Sequence, residues 1–228
     1  MASPAIVQTK SSVDDSDDTT QTFDEFDSAP TSGNLILLFS AIDSGGETVS
    51  ADPTGYTNFL SDDNPSDVGL FGWYRESDGT ESGGTDTWTS GGSERTAHVM
   101  FEVSGAIAVA TQVPETGTAV INDATTTIDP PNITPTGGSK DYLFFAIVAM
   151  DRGDESISTF STNYSGTGQV TTVAAAGGVG IGWQSRALTA SSENPGTLTA
   201  SNGDYLSNTI AIHPVSITGV MAVLRRRL

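Results

Sequence analysis

The sequence predicts an all-β protein, an antiparallel β-sandwich built from two internally related halves. Three observations carry this reading. The apolar stretch Ser32 to Asp43 (SGNLILLFSAID) returns as Gly138 to Asp151 (GSKDYLFFAIVAMD), with Leu35 falling on Leu143 and Asp43 on Asp151; 143 − 35 and 151 − 43 both give 108. The apolar runs have strand length and are bounded by Gly, Pro, Asn and Asp. No stretch of the body shows a helical period with caps.

The repeat extends beyond that first run. Pro53-Thr54-Gly55-Tyr56 falls on Ser161-Thr162-Asn163-Tyr164 at the same offset, Trp73 meets Trp183 after a slip of two, and Thr96 to Phe101 (TAHVMF) lies on Ser207 to Ile212 (SNTIAI). The half-repeats therefore run from about 30 to 104 and from 138 to 214, inside one domain of residues 1–214 followed by a tail, 215–228.

Taken in order, Ile6 to Thr9 is extended, Ser11 to Thr20 reads as a solvated acidic loop, and Thr22 to Phe26 returns as a short strand. Leu35 to Ile42 is apolar on both faces, the mark of a central strand covered on both sides. Tyr56 to Leu60 is a short strand, and Ser61 to Asp67 (SDDNPSD) a second acidic turn. Val68 to Arg75 (VGLFGWYR) carries a large residue on each face, and Glu76 to Asp86 is an exposed loop. Thr87 to Thr89 is a short strand; in Arg95 to Val103, Ala97, Val99, Phe101 and Val103 point inward, with His98, Met100 and Glu102 outward. Between the halves, Ile107 to Thr111 looks like a strand, and Pro130-Pro131 forbids a central one. The second half repeats the order with Tyr142 to Met150, Ile157 to Tyr164, Gly178 to Trp183, Gly196 to Ala200 and Leu206 to Ile212. A glycine row there (Gly178, Gly180, Gly182) predicts close approach on one face. About four strands per half are too few to enclose a core alone, whereas eight antiparallel strands make a jelly-roll sandwich.

Composition bounds the partners. The chain has 228 residues, 28 acidic and 9 basic, for a net charge of −19. Such a surface repels phosphate backbones and anionic lipid, so neither nucleic acid nor membrane is expected as a partner. Acidity spread along the chain, with Lys10 and Lys140 the only lysines, fits a protein adapted to high salt, where the screening length falls to about 3 Å at 1 M. The absence of cysteine excludes disulfides and thiolate metal sites. The first residues lack a basic region and a long apolar run, which argues against a secretory signal.

The order G-N-L-I-L-L-F, P-T-G-Y-T, G-L-F-G-W-Y-R and T-W-T-S-G-G-S-E-R-T-A, over about Gly33 to Pro214, resembles a pattern of jelly-roll structural proteins of tailed viruses. The second half departs from it, with Ser161 in place of proline and Gln184 after Trp183. The resemblance implies a non-enzymatic subunit on a capsid surface (decoration or turret) or tail apparatus. It also implies a homo-oligomer, a trimer by that analogy, among other virion proteins. Such a subunit is made in the host cytoplasm and leaves in the particle.

No catalytic constellation stands out: His98 and His213 read as surface or edge histidines, and no catalytic residue or cofactor is assigned. A carbohydrate-binding module that attaches to a host-surface glycan is the alternative, with Trp88 and Tyr74 as sugar-facing aromatics; Trp73 and Trp183 are expected in matching packing positions. Asp14, Asp15, Asp17 and Asp18, and then Asp62 and Asp63, are the clusters from which a calcium site would be drawn, although the spaced D-x-D-x-D-G pattern is missing. At the C-terminus Ile217, Val220, Met221 and Leu224 recur at helical spacing ahead of Arg225, Arg226 and Arg227. This short helical or extended tail is expected either to dock on an acidic neighbour, its arginines paired with carboxylates there, or to fold back on the chain's own acidic sandwich.

Overall fold

The computed structural model describes residues 3–172 and 177–215. The tail residues Ile217, Val220, Met221, Leu224, Arg225, Arg226 and Arg227 lie outside the described residues. Thirteen strands are described: β1 (Ala5–Asp24), β2 (Leu35–Asp43), β3 (Val49–Ala51), β4 (Thr57–Asp63), β5 (Val68–Glu76), β6 (Thr85–Ser104), β7 (Glu115–Thr116), β8 (Val120–Ile128), β9 (Lys140–Met150), β10 (Ile157–Thr159), β11 (Ser165–Thr171), β12 (Gly180–Ala190) and β13 (Leu198–Ile212). They form two antiparallel sheets, so the expected all-β sandwich is what the chain builds. The first sheet runs β1-β6-β2-β5-β4 with β3 beside β6; the second runs β10-β13-β9-β12-β11 with β7 and β8 beside β13.

The sheets repeat each other as the sequence does. Each half completes a sheet of its own, with β2 and β9 central and flanked in the same order, so the chain crosses between sheets once. That wiring is simpler than the interleaving of a jelly roll, in which the chain passes back and forth between the layers. Within a half every strand pairs with a strand of the same half, which local antiparallel pairing favours.

Alternation along the two central strands fills three layers of apolar packing. Leu35, Leu37, Phe39 and Ala41 of β2, with Leu143, Phe145, Ile147 and Ala149 of β9, point between the sheets into one shared core. There the Phe101 and Phe145 rings from opposite sheets approach to 4.7 Å and Phe39 lies 6.4 Å from Phe145. The other face of β2, through Ile36, Leu38 and Ile42, packs under Phe23, Phe26, Tyr56, Phe71, Trp73 and Trp88. Val148 and Met150 of β9 are covered in the same way by Ile128, Ile157, Leu198 and Tyr205.

The outer covers come from strands that bend. β1 and β6 shift register between Asp14 and Thr20, and the far end of β1 returns alongside its own beginning, with the Thr22 amide donating to Asp14 Oδ2 at 2.8 Å and the Asp24 amide to Ser12 Oγ at 3.0 Å. Ser11 to Thr20, expected as a loop, is therefore strand: a bulged edge keeps its backbone paired while its acids face water. One other expectation is corrected. Ile107 to Thr111 is a turn, and the linker's strands are β7 and β8, polar edge strands without an apolar run to announce them. The glycine row faces the outer layer: a β-carbon at Gly182 would collide with Ile157.

The register also corrects the alignment of the halves. β2 pairs Ile42 with Gly69 and β9 pairs Met150 with Gly180, so β5 and β12 correspond at 180 − 69 = 111. Trp73 then corresponds to Gln184, and Trp183 to Gly72. A one-residue slip moves a side chain to the opposite face, which is why Trp183 lies in the shared core while Trp73 lies in the outer layer. They do not fill matching positions. Likewise β2 pairs Leu37 with Phe101 and β9 pairs Phe145 with Ile210, an offset of 109, which sets Arg95 opposite Asp204 in the repeat.

Candidate functional site

The aromatics nominated as sugar-facing are turned inward. Trp88 is 1% exposed and stacks at 5.2 Å on Trp73, beneath the folded-over edge of the first sheet. Tyr74 is partly buried against Phe59 at 5.9 Å. The position of Trp88 in a short polar strand hid this, because the bend that buries it depends on a bulge rather than on a local apolar pattern.

Both histidines are also buried, not at the surface. His98 points away from the shared core as its alternation requires, yet β1 folds over it, with the Phe23 ring 5.8 Å away. Burial depresses its pKa to about 3, so it is neutral. Gln21 Nε2 donates to the Asp18 carbonyl and to Ser90 Oγ, leaving Gln21 Oε1 to accept from Thr96 Oγ1. His98 Nε2 must then carry the proton and donate to Thr96 Oγ1 at 2.7 Å. His213 bonds Glu115, which also accepts from the Thr136 amide and hydroxyl at 2.9 and 2.6 Å; the group fastens the end of β13 to the linker.

The nominated carboxylates are occupied within the chain. Asp14 accepts from the Ser16 and Thr22 amides, Asp18 from the Thr20 amide, and Asp17 pairs with Arg95 at 2.9 Å. Asp15, exposed beside them, does not join a cluster of facing carboxylates among the described residues. Asp62 accepts from Asn208 Nδ2 at 2.6 Å, a bond from the first half to the second, and Asp63 from the Gly46 amide at 2.7 Å. A cleft of about 600 Å3 opens here between Glu47, Asp52, Asn58, Asp62 and Asp63 over Phe71. Its Asp52 is held by Trp73 Nε1 at 2.7 Å.

Carboxylates converge instead at one end of the sandwich, where the two sheets meet. Asp67 ends the turn before β5, Asp151 follows β9, and Asp204 lies within β13. One oxygen from each lies within 4.8 Å of the others, and all three side chains are partly buried. Asp204 is oriented by the Ala124 amide, which donates to Oδ1 at 2.6 Å from a residue held at φ 47°. The Asp67 turn is set by its own amide donating to the Asn64 carbonyl at 3.0 Å, and Asn64 Nδ2 reaches Asp123 of β8, in the second sheet, at 3.1 Å. Burial, with the neighbouring charges of Asp67, Asp43 and Asp204, pushes Asp151 up to about 6. Asp43, its counterpart in the repeat, is also pushed to about 6 by burial. Behind the cluster, Glu155 is 4% exposed and burial raises it to about 7.

Sequence reading stopped at Asp62 and Asp63, in the same turn as Asp67. The signal that finds the cluster is the repeat itself: Asp43 and Asp151 end equivalent strands, but Asp204 joins them only once the strands are in register. Comparison with known proteins adds little. No family model and no curated relative matches the chain. A solved structure, GK1651 from Geobacillus kaustophilus, aligns over 94% of this chain and 98% of its own at 14% identity, with a TM-score of 0.29. A likeness that low carries no argument about fold or function.

Proposed function

We propose that the chain is a non-catalytic structural subunit, a rigid β-sandwich building block for the outside of a particle. The virion surface or tail apparatus is the setting that the sequence resemblance implies, and high salt the medium that its charge implies. One observation carries the reading: the side chains that a binding sandwich would display are spent on packing. Trp73, Trp88 and Trp183 are all buried, and the large hydrophobics exposed among the described residues are the scattered Val7, Val113, Ile121 and Val215. With the two histidines internal, His98 neutral and His213 tied to Glu115, no accessible imidazole is left for general base chemistry.

In this role the acidic surface keeps the subunit soluble in brine, the tail 215–228 docks it onto an acidic neighbour, and closed symmetry, a trimer, organises copies of it. The test is to locate the protein in purified particles and to remove the tail after Pro214. A subunit that folds normally but no longer joins the assembly supports the proposal. A protein absent from particles that binds a glycan in high salt, with binding lost in Tyr74→Ala, would replace it with the attachment reading.

A further inference from the structure

The internal repeat supplies its own control for the acidic corner. Applying the register offsets, the counterparts of Asp67, Asp151 and Asp204 are Gly178, Asp43 and Arg95. At that equivalent corner the guanidinium of Arg95 supplies the positive charge: Nη1 donates to the Gly177 carbonyl, and Nη1 and Asp43 Oδ2 both border the space that a β-carbon on Gly177 would enter, at 3.4 and 3.5 Å. Arg95 accordingly draws the Asp43 carboxyl down against the burial that raises it. At the other corner the arginine is replaced by Asp204 and the glycine by Asp67. Two sites built on one plan thus differ in that one holds a cation of its own and the other three carboxylates. Arg152 stands at the rim, where it pairs with Asp154 at 3.0 Å; its charge draws the Asp151 carboxyl down but does not offset the burial and the neighbouring carboxylates that raise it.

We propose that Asp67, Asp151 and Asp204 bind a calcium ion that ties the two sheets together at this end of the sandwich. Hard cations take carboxylate oxygens, and calcium accepts them at about 2.3–2.6 Å, which places opposite ligands about 4.8 Å apart. The three oxygens already lie inside that envelope, so the ion enters without rearrangement of the backbone.

Glu155 gives an independent sign that positive charge belongs here. Its carboxylate is packed against the Gly203 backbone so closely that no β-carbon fits at that residue. Neither oxygen accepts a well-formed hydrogen bond from the described residues; the amides of Arg152 and Asp204 lean towards it without closing one. Asp151 and Asp204 are the charges it feels. An unpartnered carboxylate buried next to two others costs free energy unless a cation neutralises the group. Calcium held by the three aspartates supplies that charge beside Glu155, which lies behind them and is not one of the converging ligands. Because Asp67 belongs to the first half and the other acids to the second, loading the ion adds a bond across the shared core.

The experiment uses the full chain, stripped with a chelator and titrated with calcium chloride at constant ionic strength, with magnesium and potassium chloride as controls. Expected are saturable uptake of one calcium per chain and, at a hundredfold excess over Kd, a rise in Tm of about 5–10 °C. Asp204→Asn and Asp67→Asn lower the affinity at least about tenfold. Asp204→Arg, which installs the guanidinium of the equivalent corner, melts without calcium at or above the Tm of the stripped native chain and gains nothing from the ion. If Asp204→Asn does not fold, Asp67→Asn on the turn gives the same readout. Absence of calcium uptake overturns the proposal, as does uptake undiminished in these variants. So does an equal Tm rise with potassium or magnesium, which would reduce the effect to screening.

Discussion

Phe101 and Phe145 test how far the halves depend on each other. Their rings belong to different sheets, are fully buried and stand 4.7 Å apart at an interplanar angle of 47°. Replacing either by leucine keeps an apolar side chain of similar reach and removes the ring pair, at a cost of about 1.5 kcal/mol or less for each single variant. Aromatic pairs at this distance contribute about 0.5–1.5 kcal/mol beyond the area they bury. The double variant is therefore expected to be less destabilised than the sum of the singles by that amount, since the pair is lost only once. Urea unfolding of the native chain, both singles and the double at fixed salt yields the coupling as a shift in midpoint with m unchanged. Additivity within about 0.3 kcal/mol would mean that the two rings do not share a core, and the sandwich assembled across the halves would be refuted.

Two further outcomes follow from charges the fold has buried. Asp43 and Asp151 are raised to about 6, and Glu94 and Glu155 to about 7, each mainly by burial. A carboxyl raised in the folded state contributes stability that is present below its unfolded pKa and is lost as pH rises through the folded value. The stripped protein at moderate ionic strength should thus melt higher at pH 5 than at pH 8, with the difference shrinking in concentrated salt; a flat or reversed profile would contradict the placement of these acids. Glu102 is the opposite case. Burial would raise it, but hydrogen bonds from the Thr31 amide, Asn34 and Gln8 together hold it below the ordinary range. Because those bonds fasten β1 and the turn before β2 to β6, Glu102→Ala should cost about 1.5–3 kcal/mol by denaturant unfolding. A neutral substitution would show the network to be incidental.

What was legible in the sequence was what local pattern controls. The doubly apolar run at Leu35 to Ile42 and its echo at Tyr142 to Met150 are central strands because both their faces are covered, and the cover on each side is apolar. The sandwich and the repeat follow from them. What stayed hidden depends on geometry that no local pattern encodes. A bulge near Asp14 to Thr20 folds polar strand ends over the sheet and buries Trp88 and His98, which alternation alone places on an open face. The likeness of Trp73 to Trp183 suggests matching positions, but strand pairing sets them one residue out of register and on opposite faces. The acidic corner was missed for the same reason. Asp67, Asp151 and Asp204 are far apart in sequence and belong to different halves, and the substitution of Asp204 for Arg95 is visible only in the structural register.

Scanning calorimetry of the full chain, in high salt with calcium present, tests most directly that both halves enclose one interior. A single transition whose calorimetric enthalpy equals its van't Hoff enthalpy is predicted. Two separable transitions, one moved by Phe39→Leu alone and the other by Phe145→Leu alone, would contradict the account.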